Sequence, residues 1–305
     1  MTEPITFQDL ALLWEEDKQA YVKRSTLSIY SIHLHRHLIP AFGTRTAISE
    51  VDVQAFVNRL LGAGMGQKTV RDILMVLQMV LRFAAKYYGW ELKPMDIRYP
   101  TLRACNSLQV LSLPQQRRLM QFIEQNPSSC NLGIALCLNT GMRIGEICAL
   151  TWGDVDLKAG LVHVTKTIQR IYLGRHRTEV ILDSPKTVNS CRDIPISASM
   201  VALLRPLKKC AKPRHYVLTN QEKPTEPATY RAYFKRLLKN LGLPAIRFHG
   251  LRHSFATRCI ECNCDYKTVS ALLGHANINT TLNLYVHPGL AQKKKCVNKA
   301  FRRLM

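Results

Sequence analysis

The chain has 305 residues, which suits two domains better than one and is ample for sizeable cores. Hydrophobic residues make up 47% of it, which excludes a disordered tail. Lys and Arg outnumber Asp and Glu by 43 to 21, a formal charge of +22 that points to a polyanionic partner, nucleic acid first. The charge is uneven: the first seventeen residues are acidic, and the final "AQKKKCVNKAFRRLM" carries only basic charges. Charge alone does not separate a DNA enzyme from a repressor or a ribosome-associated protein. No apolar run approaches the roughly 18–20 residues of a membrane span. The opening "MTEPITFQDLALLWEEDKQ" is acidic where a signal peptide would be basic. The expected setting is cytoplasmic, with no membrane partner.

In chain order, residues 1–90 read as helices only. "TFQDLALLW" offers Thr6 and Asp9 as a capping box, with Phe7, Leu10 and Trp14 on one face. "STLSIYSIHLHRHL" follows and is expected to stop near Pro40 and Gly43. "SEVDVQAFVNRLL" opens on Ser and acids and ends at Gly62. "KTVRDILMVLQMVLRFAAKYYGW" is the longest helix, with Val70, Ile73, Leu77, Val80, Leu81 and Ala84 along its apolar side. "KPMDIRYPTLRACNS" has two prolines and no period, and reads as a linker over 91–108. A second domain opens near Gln109. "SLPQQRRLMQFIEQ" is a capped helix, and "NLGIALCLNTGMRIGEICALTW" gives two more, interrupted at Thr140-Gly141. Strand signals follow in "LVHVTKTIQRIY", "TEVILD" and "RDIPIS", and helices return from "ASMVALLRPLKKC" to the end. The pattern predicts a mainly α protein with a small antiparallel sheet at the edge of its second domain.

The ten cysteines are scattered without a framework, so free thiols are expected. The one cluster, "CIECNC", holds Cys259, Cys262 and Cys264 but lacks a fourth ligand and a second paired knuckle. No metal site is assigned to it; Cys259 and Cys262 are expected to help bury a helix.

Four dispersed stretches carry candidate chemistry. In "TGMRIGEICAL", Arg143 follows a glycine at a helix-opening turn, a good place for an anion but also for an ordinary surface arginine. "SPKTVNSCRDIPI" puts Lys186 in a turn between strands, where a lysine is ordinarily solvated. "FHGLRHSFAT" places His249 and Arg252 on one helical face, with His253 beside them, and the bland alternative is a polar helix surface. "LLGHANINTTLNLYVH" has His275 and Tyr285 where a helical pattern would accept Leu or Ile more comfortably. Tyr285 admits three readings: a packed ring with a wet hydroxyl, part of a helix-turn-helix, or a nucleophile.

At these points the sequence resembles the tyrosine recombinase (phage integrase) family, over the whole chain. The family's pattern of Arg, Lys, His-x-x-Arg, His or Trp, and Tyr is matched in order by Arg143, Lys186, His249 with Arg252, His275 and Tyr285. The resemblance implies a helical core-binding, SAM-like domain over 1–90 and a mixed α/β catalytic domain with a C-terminal tail over 109–305. It implies site-specific cleavage and rejoining of double-stranded DNA through a 3′-phosphotyrosine and a Holliday junction, without a cofactor.

The chemistry explains the residue types. Arg143 and Arg252 would hold the non-bridging oxygens of the pentacoordinate state with forked hydrogen bonds. With no metal-ligand set legible, they would replace the cation that many nucleases use. A tyrosine's ordinary pKa near 10 leaves only about one hydroxyl in a thousand ionised at neutral pH. His249 would accept its proton or bind phosphate, and His275 would donate a hydrogen bond to phosphate. Lys186 would protonate the departing 5′ oxygen, and Glu146 would orient the site rather than react. The covalent product keeps the bond energy for a second strand's attack.

The tail "LAQKKKCVNKAFRRLM" places Val297, Ala300, Phe301 and Leu304 at helical spacing. They either pack on their own domain or, as the resemblance implies, dock on a neighbouring subunit of a tetramer on DNA. An accessory DNA-bending or excision factor is a further partner of such enzymes. The hairpin "TIQRIYLGRHRTEVILDSPKTVNSCRDIPI" resembles integrases of phages and conjugative elements more than the shorter turn of Xer-type resolvases. The chain starts directly at the core-binding helices, where many integrases carry an arm-binding domain. An Xer-type resolvase and a type IB topoisomerase are the rivals sharing this chemistry. A helix-turn-helix regulator is the rival without it, and has no use for Arg143, Lys186 and Tyr285 together.

Overall fold

The computed structural model describes residues 4–101, 109–174, 177–184, 190–285, 294 and 297–298, the side chains of 283–285 excepted. Contacts divide the chain into two units, Met1–Cys105 with Arg170–Ile181, and Asn106–Gln169 with Leu182–Met305.

The first unit is built on α1 (Phe7–Gln19), α2 (Arg24–His33), α3 (Ile39–Phe42), α4 (Glu50–Gly62) and α5 (Gln67–Tyr88). Helices α1 and α4 both start at capping boxes, Thr6 with Asp9 and Ser49 with Asp52, so their first amides have partners before any packing occurs. Phe7, Leu10 and Trp14 meet Val70, Ile73, Leu77 and Val80 of α5 in one buried core. The α-helical part of α2 ends at His33, and a π-helical turn, Leu34–Leu38, carries the helix on into α3, which stops at Phe42 and Gly43 as expected. Pro40 has no N–H to give and crowds the carbonyl four residues back, so the backbone widens just ahead of it while Leu34 and Leu38 stay buried.

Trp90 and residues 91–99, the first part of the stretch 91–108 read from sequence as linker, lie along this core. Trp90, Met95, Ile97 and Tyr99 pack against it. The Gln54 amide bonds the backbone of Arg98 both ways, at 2.9 and 3.2 Å. The strap has no helical or strand period because side chains, not a ladder, satisfy its backbone.

The second unit comprises α6 (Leu113–Gln125), α7 (Ser129–Thr140), α8 (Ile144–Ala149), β1 (Val155–Asp156), β2 (Leu161–Val164), β3 (Thr167–Tyr172), β4 (Thr178–Asp183), β5 (Arg192–Pro195), α9 (Ala198–Lys209), α10 (Pro227–Asn240), α11 (His249–Glu261), α12 (Tyr266–Leu273) and α13 (Asn279–Tyr285). The outer part of β3–β4 clusters with the first unit. Helix α7 is the axis of the second unit. Its "LGIALC" run is buried on every side, and α6, α8, α9 and α11 pack around it. A helix apolar all round has to be enclosed.

The run "LVHVTKTIQRIY" splits into two strands. β2 joins an antiparallel sheet of order β1-β2-β5, with Val162 opposite Ile194, while β3 pairs with β4. Lys166, between β2 and β3, turns to Asp154 at 3.0 Å. At the end of α11, Cys259 packs with Ala256, Val269 and Leu273 as expected. Cys262 does not: it is the helix's C-cap and is exposed.

Replacing Ser49 by Ala removes the side-chain acceptor of the α4 cap and should cost about 0.5–2 kcal/mol. Urea unfolding of the two proteins measures it; equal midpoints would show that the Asp52 half of the box suffices.

Candidate active site

Helix α7 is stopped by Gly141, whose φ of +65° belongs to the left-handed region. The turn delivers Arg143 to the start of α8. There its Nη1 donates to Glu146 Oε1 at 2.7 Å, and its backbone N–H donates to Oε2 at 2.9 Å. Its second terminal nitrogen, Nη2, reaches the Gly274 carbonyl at 3.0 Å.

Glu146 is buried and shared. Arg192, on β5, approaches from the other side with Nη1 and Nη2 at 3.2 and 3.0 Å, and its Nε donates to the Leu272 carbonyl at 2.7 Å. Burial pushes the Glu146 carboxyl up, but the hydrogen bonds and charge of Arg192, and then Arg143, outweigh it and hold the pKa below its ordinary value. The carboxylate therefore serves as a fixed anion between two guanidiniums.

Helix α11 supplies the next pair. His249 opens the helix, and Arg252 follows one turn later with only 1% of its surface exposed. Arg252 Nη1 donates to the Gly141 carbonyl at 2.8 Å, tying α11 to the turn before Arg143. His249 stands edge-on to His253, with ring centroids 4.6 Å apart. Helix α12 ends at Gly274, again left-handed with φ +65°, and His275 comes next. The His275 amide bonds the Ser270 carbonyl at 3.1 Å, and its Nδ1 lies 2.8 Å from Thr281 Oγ1.

A cavity of about 460 Å³ opens among these elements, lined by Arg143, Thr167, Asp183, Ser190, His249 and Gly274 among others. His249 keeps an open face to it while the rest of its ring is desolvated by its neighbours. That desolvation, then the charges of His253, Arg252 and Arg143, lowers its pKa to about 4. Half-buried His275 is lowered to about 4 as well, by desolvation first and then by Arg252 and Arg143. Both imidazoles are thus uncharged at pH 7. A cluster of guanidiniums and neutral imidazoles that puts Arg143 and His249 on a cavity can grip an oxyanion and still accept a proton.

Four residues singled out from sequence, Arg143, His249, Arg252 and His275, come together here. Lys186 lies outside the described residues; Ser184 and Ser190, on either side of that segment, both line the cavity. Tyr285 is the last residue of α13, and its side chain lies outside the described residues. So does the tail, apart from Lys294, Val297 and Asn298; Val297 is helical and exposed. Sequence reasoning missed Arg192 and Thr281. Arg192 had a signal: it shares the inward face of a short strand with buried Ile194.

A cationic cavity with a guanidinium and a neutral imidazole on its wall suits a phosphate-bearing substrate. The phage integrase family profile matches residues 109–291, and that of the phage integrase N-terminal SAM-like domain matches residues 6–61. The chain belongs to the phage integrase family, the tyrosine recombinases. Among its relatives is a protein described as tyrosine recombinase XerC-like from Caldanaerobacter subterraneus subsp. tengcongensis, 24% identical over 97% of this chain and 82% of that one. The ICEBs1 integrase of Bacillus subtilis is 24% identical over 83% of this chain and 70% of its own length. The fold is shared with the Tn1549 transposon integrase solved with a circular intermediate DNA, at a TM-score of 0.78 and 21% identity, covering 95% of this chain and 99% of that one.

The lowered histidines carry a stability signature. An imidazole whose folded pKa lies below its unfolded value near 6.5 takes its proton more readily when unfolded. Its contribution to stability is complete above about pH 6.5 and is lost as pH falls toward the folded value near 4. The melting temperature of the free protein should therefore drop across that window. His249→Gln and His275→Gln should each flatten the slope, and a slope unchanged in both variants would contradict the assignment.

Proposed function

We propose that this tyrosine recombinase cleaves and rejoins double-stranded DNA of a mobile element through a 3′-phosphotyrosine on Tyr285, passing through a Holliday junction. The observation that carries the proposal is that Arg143 and His249 line one cavity, with Arg252 bonded to the turn before Arg143 and His275 close enough to feel both guanidinium charges, and with both imidazoles neutral at pH 7. In this reading a DNA phosphate enters the cavity and its non-bridging oxygens are held by Arg143 and Arg252. Neutral His249 accepts the Tyr285 proton as the tyrosine oxygen attacks phosphorus, and His275 donates to a phosphate oxygen. Lys186 gives its proton to the departing 5′ oxygen. Reversal by another strand's 5′ hydroxyl regenerates Tyr285 and joins the new partners.

Two relatives support a mobile-element setting: the ICEBs1 integrase by its name, and the Tn1549 integrase by its circular intermediate DNA. We place the helical unit 1–90 as the core-binding domain and residues 109–305 as the catalytic domain. Four copies would assemble on paired sites through the tail, with an accessory bending or excision factor setting direction. No helix among the described residues is long and apolar enough to cross a membrane; we place the enzyme in the cytoplasm, at the nucleoid, because its substrate in this reading is DNA.

Tyr285→Phe should abolish the covalent adduct on a nicked substrate yet leave gel-shift affinity nearly intact, because one hydroxyl leaves a large basic interface. A persistent adduct would give the nucleophile role to another residue. Lys186→Ala should cleave ordinary DNA about 10²–10⁴-fold more slowly. It should regain most of that loss when sulfur replaces the 5′ bridging oxygen, since a thiolate leaves without a proton. Arg143→Ala should not be rescued, and equal failure of Lys186→Ala on both substrates would return that lysine to the solvated turn. Binding should also weaken steeply with salt, log K falling linearly with log salt.

A further inference from the structure

We propose that Thr281 is a positioning residue for the reaction: its hydroxyl donates to His275 Nδ1, fixing the imidazole as the Nε2–H tautomer and tying it to the helix that ends in Tyr285. The proposal rests on the reading of His275 as the phosphate's hydrogen-bond donor.

The geometry starts with the pair itself. Thr281 Oγ1 and His275 Nδ1 are 2.8 Å apart, and Thr281 is wholly buried. A neutral imidazole has one N–H and one bare nitrogen, so its two edges have opposite characters. Which nitrogen is bare follows from where the Thr281 proton goes. A threonine inside a helix ordinarily gives its hydroxyl proton to the carbonyl one turn back. Thr281 is the third residue of α13, and the carbonyl one turn back belongs to Asn277, before the helix begins. Among the described residues the ring nitrogen is the one hydrogen-bond partner of the buried Thr281 hydroxyl, and if Nδ1 carried a proton of its own the hydroxyl proton would have no acceptor. Elsewhere in this unit the usual arrangement holds: Thr140 donates to Leu136 O and Ser254 to Gly250 O, at 2.6 and 2.8 Å. The Thr281 proton is therefore directed to the ring.

The surroundings keep the ring neutral. Desolvation first, and then the charges of Arg252, Arg143, His249 and Arg192, disfavour a charged imidazole at this place, so the choice left to the ring is between two tautomers, and the Thr281 hydroxyl decides it. The ring's backbone is fixed on both sides, by the His275 amide on Ser270 and by Arg143 on the Gly274 carbonyl. With Nδ1 engaged as acceptor, Nε2–H is the donor left to meet an oxyanion. The reverse tautomer would present a lone pair to a phosphate oxygen and repel it. Because Tyr285 lies one helical turn beyond Thr281, the same hydrogen bond couples the seating of α13 to the correct tautomer.

The test is ¹⁵N NMR of the full-length, histidine-labelled protein at pH 7.5, with His275 assigned from the resonance that His275→Gln removes. Nδ1 should resonate as a bare acceptor and Nε2 as a protonated nitrogen. Thr281→Val, isosteric but without the hydroxyl, should give mixed tautomers and slow adduct formation roughly tenfold, the size expected of one lost hydrogen bond. Thr281→Ser should keep the wild-type tautomer and restore most of the rate, which a purely packing role for the methyl group would not. Protonated Nδ1 in the wild type, or an unchanged tautomer in Thr281→Val, would overturn the proposal. Wild-type cleavage by His275→Gln would instead overturn the role given to His275 itself, whichever tautomer the spectrum shows.

Discussion

The second unit depends on one buried carboxylate. Glu146 sits between Arg143 and Arg192, almost fully out of water, and the desolvation of a lone carboxylate there would cost several kcal/mol. It is stable as an anion because two guanidiniums complete its hydrogen bonds. The converse also holds. Without Glu146, two arginines would face each other across a low-dielectric gap, and neither would have a reason to stay. Each arginine then spends a further nitrogen on a carbonyl at the end of α12, Arg143 on Gly274 and Arg192 on Leu272. One charge cluster thereby joins α8, β5 and α12, three elements far apart in sequence.

This arrangement settles the electrostatic character of the cavity. Glu146 is shared by two arginines, so Arg143 is only partly compensated, and Arg252 adds a buried guanidinium bonded to a neutral carbonyl. The surplus of positive charge has two consequences. It attracts an oxyanion, and it adds to the desolvation that keeps His249 and His275 uncharged at neutral pH. A histidine that had already gained a proton would add attraction but could not take one up. The same arginines that would bind phosphate thus also prepare a base for the proton that a tyrosine must lose.

Much of this was legible in the sequence, and for a physical reason. Arg143, His249, Arg252 and His275 are short-range features, each set beside a helix boundary marked by glycine or by an abrupt change of period. The capping boxes at Thr6 and Ser49 are local in the same way. What escaped was non-local. Arg192 finds Glu146 across 46 positions, and nothing near either residue announces the other. The strap over 90–99 looked like a linker because its order comes from Gln54 and a hydrophobic surface elsewhere in the chain. The helix stop near Pro40 and Gly43 is legible, whereas the π-helical turn ahead of it is not, since proline marks a break without showing how the preceding backbone widens. Cys262 was assigned inward by composition, when its place at the C-cap turns it out.

The stretch "YKTVSALLGHANINTTLNLY" shows how one geometry can satisfy two readings. It does form two short helices, α12 and α13, with a glycine turn between them, the outline of a helix-turn-helix. A recognition element of that kind needs its second helix presented to solvent along a polar face. Here the second helix turns Thr281 fully inward onto His275, and the turn carbonyl is taken by Arg143. The Asn277, Asn279 and Thr280 side chains stay exposed, so it is Thr281 and the Gly274 carbonyl that tie this segment to the charge cluster. The two helices are better understood as a lever, with one end bonded to the arginines and the tyrosine one turn beyond the buried threonine.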